Sequence, residues 1–74
     1  MGINEFIEKF ADALEIEDVE SLSPETQFRD LDEWSSISVM EFIVLAKNEF
    51  GKSITDAEVR KSLSLQDLYN QIND

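Results

Sequence analysis

The side chains considered first for chemistry in this 74-residue sequence are its hydroxyls and carboxylates, because the chain contains no cysteine and no histidine. Thiol nucleophiles, thiolate or imidazole metal sites and histidine-based triads are therefore excluded, and we expect the chain not to be an enzyme. The most suggestive hydroxyls are the pair Ser35 and Ser36, which follows Trp34 and precedes an apolar stretch. A serine pair at such a place most often caps the first turn of a helix, and each of the two could do so.

The carboxylates suggest a calcium loop, which fails on inspection. Asp30, Asp32 and Glu41 occupy the first, third and twelfth positions of such a loop. The fifth position is Trp34, whose side chain has no oxygen, and the sixth is Ser35, where the turn requires glycine. No metal site is predicted.

Charge limits the partners of the protein. With 17 acidic and 6 basic residues, the formal net charge is -11. This charge argues against nucleic acid and against an anionic membrane, and favours basic protein surfaces as partners. No apolar run is long enough to span a membrane, and the first residues do not resemble a signal peptide. We expect a cytoplasmic monomer that forms one small domain over residues 1–74.

The stretch from Trp34 to Gly51 contains the strongest helical pattern, which begins at the serine pair and ends at the glycine. One face points to a core, and it consists of apolar residues at three- and four-residue steps, namely Val39, Phe42, Ile43, Ala46 and Phe50. Ile37, Met40 and Val44 form a second apolar stripe beside it. We expect part of this stripe to meet a partner, although Met40 and Val44 could instead belong to the core.

Three further helices flank this stretch. The first covers residues 3–15, with Asn4 as its cap. A long connection over residues 16–33 follows, with a turn at residues 23–26 and four apolar anchors, namely Val19, Leu22, Phe28 and Leu31. Trp34 is either a further anchor on the bundle or a residue with a role beside the serine pair.

After Gly51, Ile54 is an anchor and Thr55 caps a short helix. Ser64 and Asp67 form a capping box for a last helix. Its apolar face consists of Leu65, Leu68, Tyr69 and Ile72. Because no strand pattern is present, the sequence predicts an all-α fold, a small four-helix bundle with a long loop between its first and second helices and a short third helix.

Over essentially its whole length the sequence resembles the acyl carrier protein family. The matching features are the serine turn at the start of an acidic amphipathic helix, Phe28 eight residues before Ser36, Phe50-Gly51, Ile54, Asp56 and the segment from Ser64 to Leu68. The family signature is Asp-Ser-Leu, often preceded by Trp. Here the matching residues are Ser35, Ser36 and Ile37 after Trp34. The resemblance implies that Ser36, flanked by Trp34, Ser35 and Ile37, carries 4'-phosphopantetheine.

The resemblance also implies a function and a set of partners. The protein would hold acyl or aminoacyl groups as thioesters and present them to other enzymes. Its partners would be a phosphopantetheinyl transferase and acyl-activating and acyl-transferring enzymes with basic docking surfaces. The partner-binding residues would be Ile37, Met40, Glu41, Val44 and Lys47.

Two departures from the family pattern matter for function. Ser35 replaces the aspartate, and the exposed face of the second helix is less acidic than usual because of Met40, Val44, Lys47 and Asn48. The replaced aspartate leaves open an alternative, a carrier-like docking or regulatory module that is never modified. A small acidic hydrolase or metal protein is a more distant alternative, since no histidine base is present.

Overall fold

A computed structural model describes residues 2–73 of the protein. It contains four α-helices, with a long connection between the first and the second. The helices are α1 (Ile3–Ala13), α2 (Ser38–Phe50), α3 (Asp56–Lys61) and α4 (Leu65–Asn73), with single 3-10 turns at Val19–Ser21 and Phe28–Asp30. Residues 2–73 contain no β-strand, and Gln27 and Ser64 form one isolated antiparallel bridge. The predicted all-α bundle with a long first loop and a short third helix is confirmed.

The core is rich in aromatic side chains. Phe6 and Phe10 of α1, Phe42 of α2 and Phe28 of the long connection are fully buried. The Phe6 and Phe42 rings meet edge-on, with centroids 6.2 Å apart. Since burying one such side chain contributes about 1.5–3 kcal/mol, these four rings are a large part of what holds so small a domain together.

The predicted faces of the helices are largely confirmed. All five residues assigned to the core face of α2 are buried or packed against the core, and Ile54 is buried as an anchor. The loop anchors Val19, Leu22, Phe28 and Leu31 also contact the core. The pattern missed Leu45, which is buried on α2.

The ends of α1 differ from the prediction. Asn4 is not the cap: it is an exposed residue inside the helix, and Gly2 holds the cap position without a side-chain hydrogen bond. At the other end the helix stops at Ala13 because Glu15 has a left-handed backbone, with φ of 57°. The amide of Ile16 donates to the carbonyl of Ala11 at 2.8 Å, and that of Glu15 to Asp12 at 3.3 Å. These two bonds define a Schellman motif, so the last turn of α1 is closed by residues outside it.

The caps of α3 and α4 agree with the prediction. The Glu58 amide donates to Thr55 Oγ1 at 3.2 Å, while the Thr55 amide donates to Glu58 Oε1 at 3.0 Å. Ser64 and Asp67 exchange the same pair of hydrogen bonds, each of 3.2 Å. Each box satisfies first-turn amides that the helix itself cannot pair.

The long connection also holds the last helix in place. The carbonyls of Thr26 and Pro24 accept hydrogen bonds from the amides of Leu65 and Gln66, at 3.0 and 2.9 Å. Main-chain amides at the start of α4 are thus paired with a segment forty residues away in the sequence. In the part of the chain from 2 to 73, no helix has the length and apolar composition needed to cross a membrane.

Candidate functional site

The segment Trp34–Ser38, here called the serine turn, leads the chain into α2. Ser35, Ser36 and Ile37 are exposed in it, and Ser38 is the first helical residue. The Ser36 hydroxyl makes no hydrogen bond to any residue between 2 and 73. An exposed hydroxyl without an internal partner is available to an enzyme that approaches from solvent.

Ser38 gives the serine turn its shape. Its side chain is only 1% exposed, and its Oγ accepts a hydrogen bond from the Ser35 amide at 2.8 Å. The Ser38 amide in turn donates to the Ser35 carbonyl at 3.0 Å, and its hydroxyl donates to the Glu33 carbonyl at 3.5 Å. The main chain on both sides of Ser36 is therefore fixed while the Ser36 side chain stays outside.

These contacts correct the prediction for the start of α2. Neither Ser35 nor Ser36 caps the helix: α2 begins at Ser38, and the cap position is held by Ile37, which has no side-chain bond to offer. Ser38 was missed because it looked like an ordinary helix residue. It lies four residues before Phe42 and eight before Ala46, on the buried face, and a polar residue on that face must find a partner.

Trp34 anchors the start of the serine turn to the core. Its indole meets the Phe28 ring edge-on at 4.7 Å between centroids and lies parallel to the Phe10 ring at 6.3 Å. Its amide donates to the Leu31 carbonyl at 3.0 Å. Of the two interpretations of Trp34, packing on the bundle is therefore confirmed.

The start of α2 favours a negatively charged group. The amides of Val39 and Met40, in its first turn, donate to no carbonyl in the described part of the chain. Unpaired amides and the positive end of the helix dipole stabilise an anion by about 0.3–1 kcal/mol at an exposed position. A phosphodiester on an adjacent, exposed serine hydroxyl fits this environment, so the residues present suit the group that the sequence resemblance implies.

The second apolar stripe of α2 lies on the surface. Ile37, Met40 and Val44 are 66%, 61% and 53% exposed. Glu41 and Lys47 are exposed as well. The alternative that Met40 and Val44 belong to the core is therefore wrong. All five residues predicted to bind partners are accessible, Ile37 at the cap position of α2 and the other four on the helix.

An open groove of about 350 Å³ runs beside this stripe, between the end of α1 and α2. Its lining includes the apolar Val44 and Leu45 and the acidic Glu41 and Glu49. As for metals, the described residues include no group of three or more Asp and Glu side chains that could hold an ion.

The bundle and its site define a class: a small helical domain that presents, at the start of its second helix, an exposed serine hydroxyl without a hydrogen-bond partner in the described residues. A comparison with protein families identifies the same class, since the family model described as phosphopantetheine attachment site matches residues 4–72. The chain belongs to this family, and the resemblance to acyl carrier proteins is confirmed. The domain is the attachment site for covalently bound 4'-phosphopantetheine, and domains of this kind are carriers rather than catalysts. The comparisons with curated proteins and with solved structures gave no significant match.

Proposed function

We propose that this protein is a single-domain carrier of acyl or aminoacyl groups, that Ser36 is the residue that bears its 4'-phosphopantetheine, and that it acts as a cytoplasmic monomer without catalytic activity of its own. The observation that supports Ser36 is its combination of exposure with a hydroxyl that has no partner in the described chain. A phosphopantetheinyl transferase, the enzyme that attaches the arm and so arms the carrier, can reach this oxygen without breaking a hydrogen bond of the fold.

The neighbouring serines are poorer candidates for attachment. Ser38 is buried, and its hydroxyl bonds to both the Ser35 amide and the Glu33 carbonyl, so modifying it would disrupt the serine turn. Ser35 is exposed, but its amide and carbonyl are both tied to Ser38 and its hydroxyl lies 3.4 Å from Ser38 Oγ. Ser36 is the one member of the trio whose side chain has no role in the fold.

The attached arm and the residues around Ser36 have different roles in a carrier. The attached arm supplies a thiol that holds cargo as a thioester, which a chain without cysteine cannot supply itself. Ser36 provides the attachment oxygen, and the amides at the start of α2 stabilise the charge of the phosphodiester. Ser38 and Trp34 hold this attachment point against the core, so that an enzyme meets the serine in one orientation.

The surface beside Ser36 supports docking to several enzymes in turn. Ile37, Met40 and Val44 offer apolar contact, while Glu41 and Lys47 offer charges of both signs at the rim. The net charge of -11 attracts basic partner surfaces from a distance. Such long-range attraction makes docking fast, while exposed charge pairs add little affinity and leave the complex weak. Weak binding suits a carrier, because it must leave one enzyme to reach the next. We therefore propose a phosphopantetheinyl transferase and acyl-activating and acyl-transferring enzymes as the partners.

The experiment that tests the attachment is intact-mass measurement after treatment with coenzyme A and a promiscuous phosphopantetheinyl transferase. We expect one added phosphopantetheine in the parent and in Ser35→Ala, and none in Ser36→Ala. Peptide mapping of the modified protein should place the group on Ser36. Modification that persists in Ser36→Ala and disappears in Ser35→Ala would overturn the assignment.

A second candidate function is a docking or regulatory module that is never armed, and one observation favours it. Ser35 stands where the family signature has an aspartate next to the attachment serine. The mass of the protein isolated from its natural host separates the two functions. A carrier is isolated with the arm attached to at least part of the molecules, whereas a docking module is isolated with its unmodified mass.

A further inference from the structure

Arg29 links the long connection to the end of α3. Its Nη2 donates to the carbonyl of Ser62 at 2.8 Å, to that of Val59 at 3.4 Å, and to that of Arg60. These carbonyls lie at or just beyond the C-terminal end of α3, where the helix dipole is negative. The Val59 carbonyl also accepts from the Ser62 amide at 3.1 Å, whereas those of Arg60 and Ser62 accept from no main-chain amide in the described residues. A guanidinium is suited to this position because its donors are arranged in a rigid plane and its charge is permanent.

The same side chain contacts the aromatic cluster under the serine turn. The guanidinium carbon of Arg29 lies 5.6 Å from the centre of the Phe28 ring. Phe28 is fully buried and meets the Trp34 indole at 4.7 Å between centroids. A continuous series of contacts therefore runs from the end of α3 through Arg29 and Phe28 to Trp34, the first residue of the serine turn.

Arg29 is also the last firm attachment before that turn. Upstream, Pro24 and Thr26 are bonded to α4 through their carbonyls. Downstream, residues 30, 32 and 33 are exposed, and Leu31 is only half-buried. Without Arg29, the segment between Thr26 and Trp34 would depend on the packing of Phe28 and of the half-buried Leu31, and on hydrogen bonds within its own short turns.

We propose that Arg29 is a positioning residue for the arming of Ser36: by fastening Phe28 to α3 it fixes Trp34, and with it the orientation of the serine turn. Arg29 does not touch the reacting oxygen. It raises the fraction of enzyme-bound carrier molecules in which the Ser36 hydroxyl is correctly oriented for the reaction. Docking through α2 is left intact, because none of the exposed residues of that surface contacts Arg29 among the interactions described. The inference rests on the proposed arming of Ser36 for its kinetic readout, and a second readout is independent of it.

The test compares Arg29→Ala with Arg60→Ala, both of which remove one positive charge from an arginine near the end of α3. The Arg60 side chain is a suitable control because, within residues 2–73, it bonds only to the exposed Asp56 carboxylate, at 2.8 Å. The first readout is kcat and KM for transfer of phosphopantetheine, with the carrier as the varied substrate. The second is the fluorescence of Trp34, the single tryptophan of the chain. Both readouts are measured at a temperature at which melting curves show every variant to be folded.

We expect Arg29→Ala to lower kcat roughly tenfold with KM within about twofold of the parent, because misorientation affects the bound complex more than docking. The Trp34 emission should shift to longer wavelength as the indole becomes more hydrated. Arg60→Ala should match the parent in both readouts. Equal kcat values for the two variants, together with unchanged Trp34 emission, would overturn the proposal.

Two further outcomes remain decisive. If Arg29→Ala does not fold, Arg29→Met replaces it, since methionine keeps an apolar stem beside Phe28 but has no donor for the carbonyls at the end of α3. A loss of at least about twofold in kcat with shifted emission then supports the proposal, and parent-like values contradict it. If the parent itself is not armed, the proposed function has failed, and the Trp34 emission of the variants alone decides the role of Arg29.

Discussion

The main-chain amide of Ser35 donates to the hydroxyl oxygen of Ser38 at 2.8 Å, across the turn that leads into α2. Because Ser38 is buried, this bond fixes the turn to the inside of the bundle. Ser36 lies between the two bonded residues, and its own hydroxyl is left exposed. Ser36 is thus held in place by its neighbours and not by hydrogen bonds of its own hydroxyl.

Removing the Ser38 hydroxyl should therefore destabilise the protein although the removed group is a single oxygen. We expect Ser38→Ala to lower the free energy of unfolding by about 1–2 kcal/mol, because the Ser35 amide loses its acceptor. Ser36→Ala is the matched control and should change it by less than about 0.5 kcal/mol. Urea denaturation of both variants measures the difference. Similar stabilities for the two would mean that the Ser35–Ser38 bond does not support the turn.

Restoring the family aspartate should speed arming. Ser35→Asp adds a carboxylate beside Ser36 that can pair with basic residues of the transferase. A charge-assisted contact of this kind contributes roughly 1–3 kcal/mol, or about one to two decades in kcat/KM if fully formed. Stability should scarcely change, since residue 35 is exposed and its amide can still bond to Ser38.

The control for this prediction is Ser35→Asn, which has nearly the same shape without the charge. Arming rates and melting curves of the parent and both variants are measured side by side. If Asn accelerates arming as much as Asp, the effect comes from shape and the electrostatic explanation is wrong. If neither changes the rate, Ser35 does not limit recognition.

Glycine at position 15 should stabilise the end of α1. Glu15 adopts a left-handed backbone, which costs a non-glycine residue about 1–2 kcal/mol, and its carboxylate lies at the negative end of the helix dipole. After allowance for the greater freedom of glycine in the unfolded chain, we expect Glu15→Gly to raise the free energy of unfolding by about 0.5–1 kcal/mol.

Gly51 provides the reciprocal control, since it has φ of 66° at the end of α2. A methyl group there would meet nothing within 4 Å, so Gly51→Ala tests backbone strain without steric conflict. We expect it to destabilise the protein by about 1–2 kcal/mol. Chemical denaturation of both variants is sufficient, and a destabilised Glu15→Gly variant would contradict the prediction.

The capping box of α4 should make the stability of the protein depend on pH. Hydrogen bonds from the amides of Leu63 and Ser64 hold the pKa of the Asp67 carboxyl below its ordinary value of 3.8. Because the folded state favours the ionised form, the contribution of Asp67 is present above that value and is lost as the pH falls through the lowered pKa. The melting temperature of the parent should therefore exceed that of Asp67→Asn at about pH 6, and the gap should narrow toward about pH 2.5.

The control separates this local effect from the overall charge. Acid also neutralises the carboxylates of a chain with a net charge of -11, and that relief of repulsion stabilises every variant. Glu17→Gln removes one carboxylate that is exposed and has no hydrogen-bond partner in the described residues. Melting temperatures of the three proteins across the acid range give the comparison. A gap between parent and Asp67→Asn that is independent of pH would refute the role assigned to the carboxylate.

The sequence by itself determined the features whose causes are local. The apolar periodicity of α1 and α2 predicted their buried faces. The residue types predicted a cap at Thr55 and a capping box at Ser64 and Asp67, and the structure contains both. Gly51 predicted the end of α2. The motif around Ser36, together with the whole-chain resemblance, led to the family that the comparison identifies. Apart from the whole-chain resemblance, each of these features depends on residues within a few positions of one another, where spacing alone decides which groups can meet.

Only the tertiary structure decided where α2 begins and how the serine turn is held. Local preference assigned the cap to Ser35 or Ser36, but burial of Ser38 against the core turns its hydroxyl toward the Ser35 amide and delays the helix to residue 38. Arg29 gave no sign of its role, because the carbonyls that it binds lie about thirty residues away. A main-chain carbonyl has the same chemistry at every position in the sequence, so only the packing of the helices determines which carbonyls are left unpaired and which side chain is near enough to bind them.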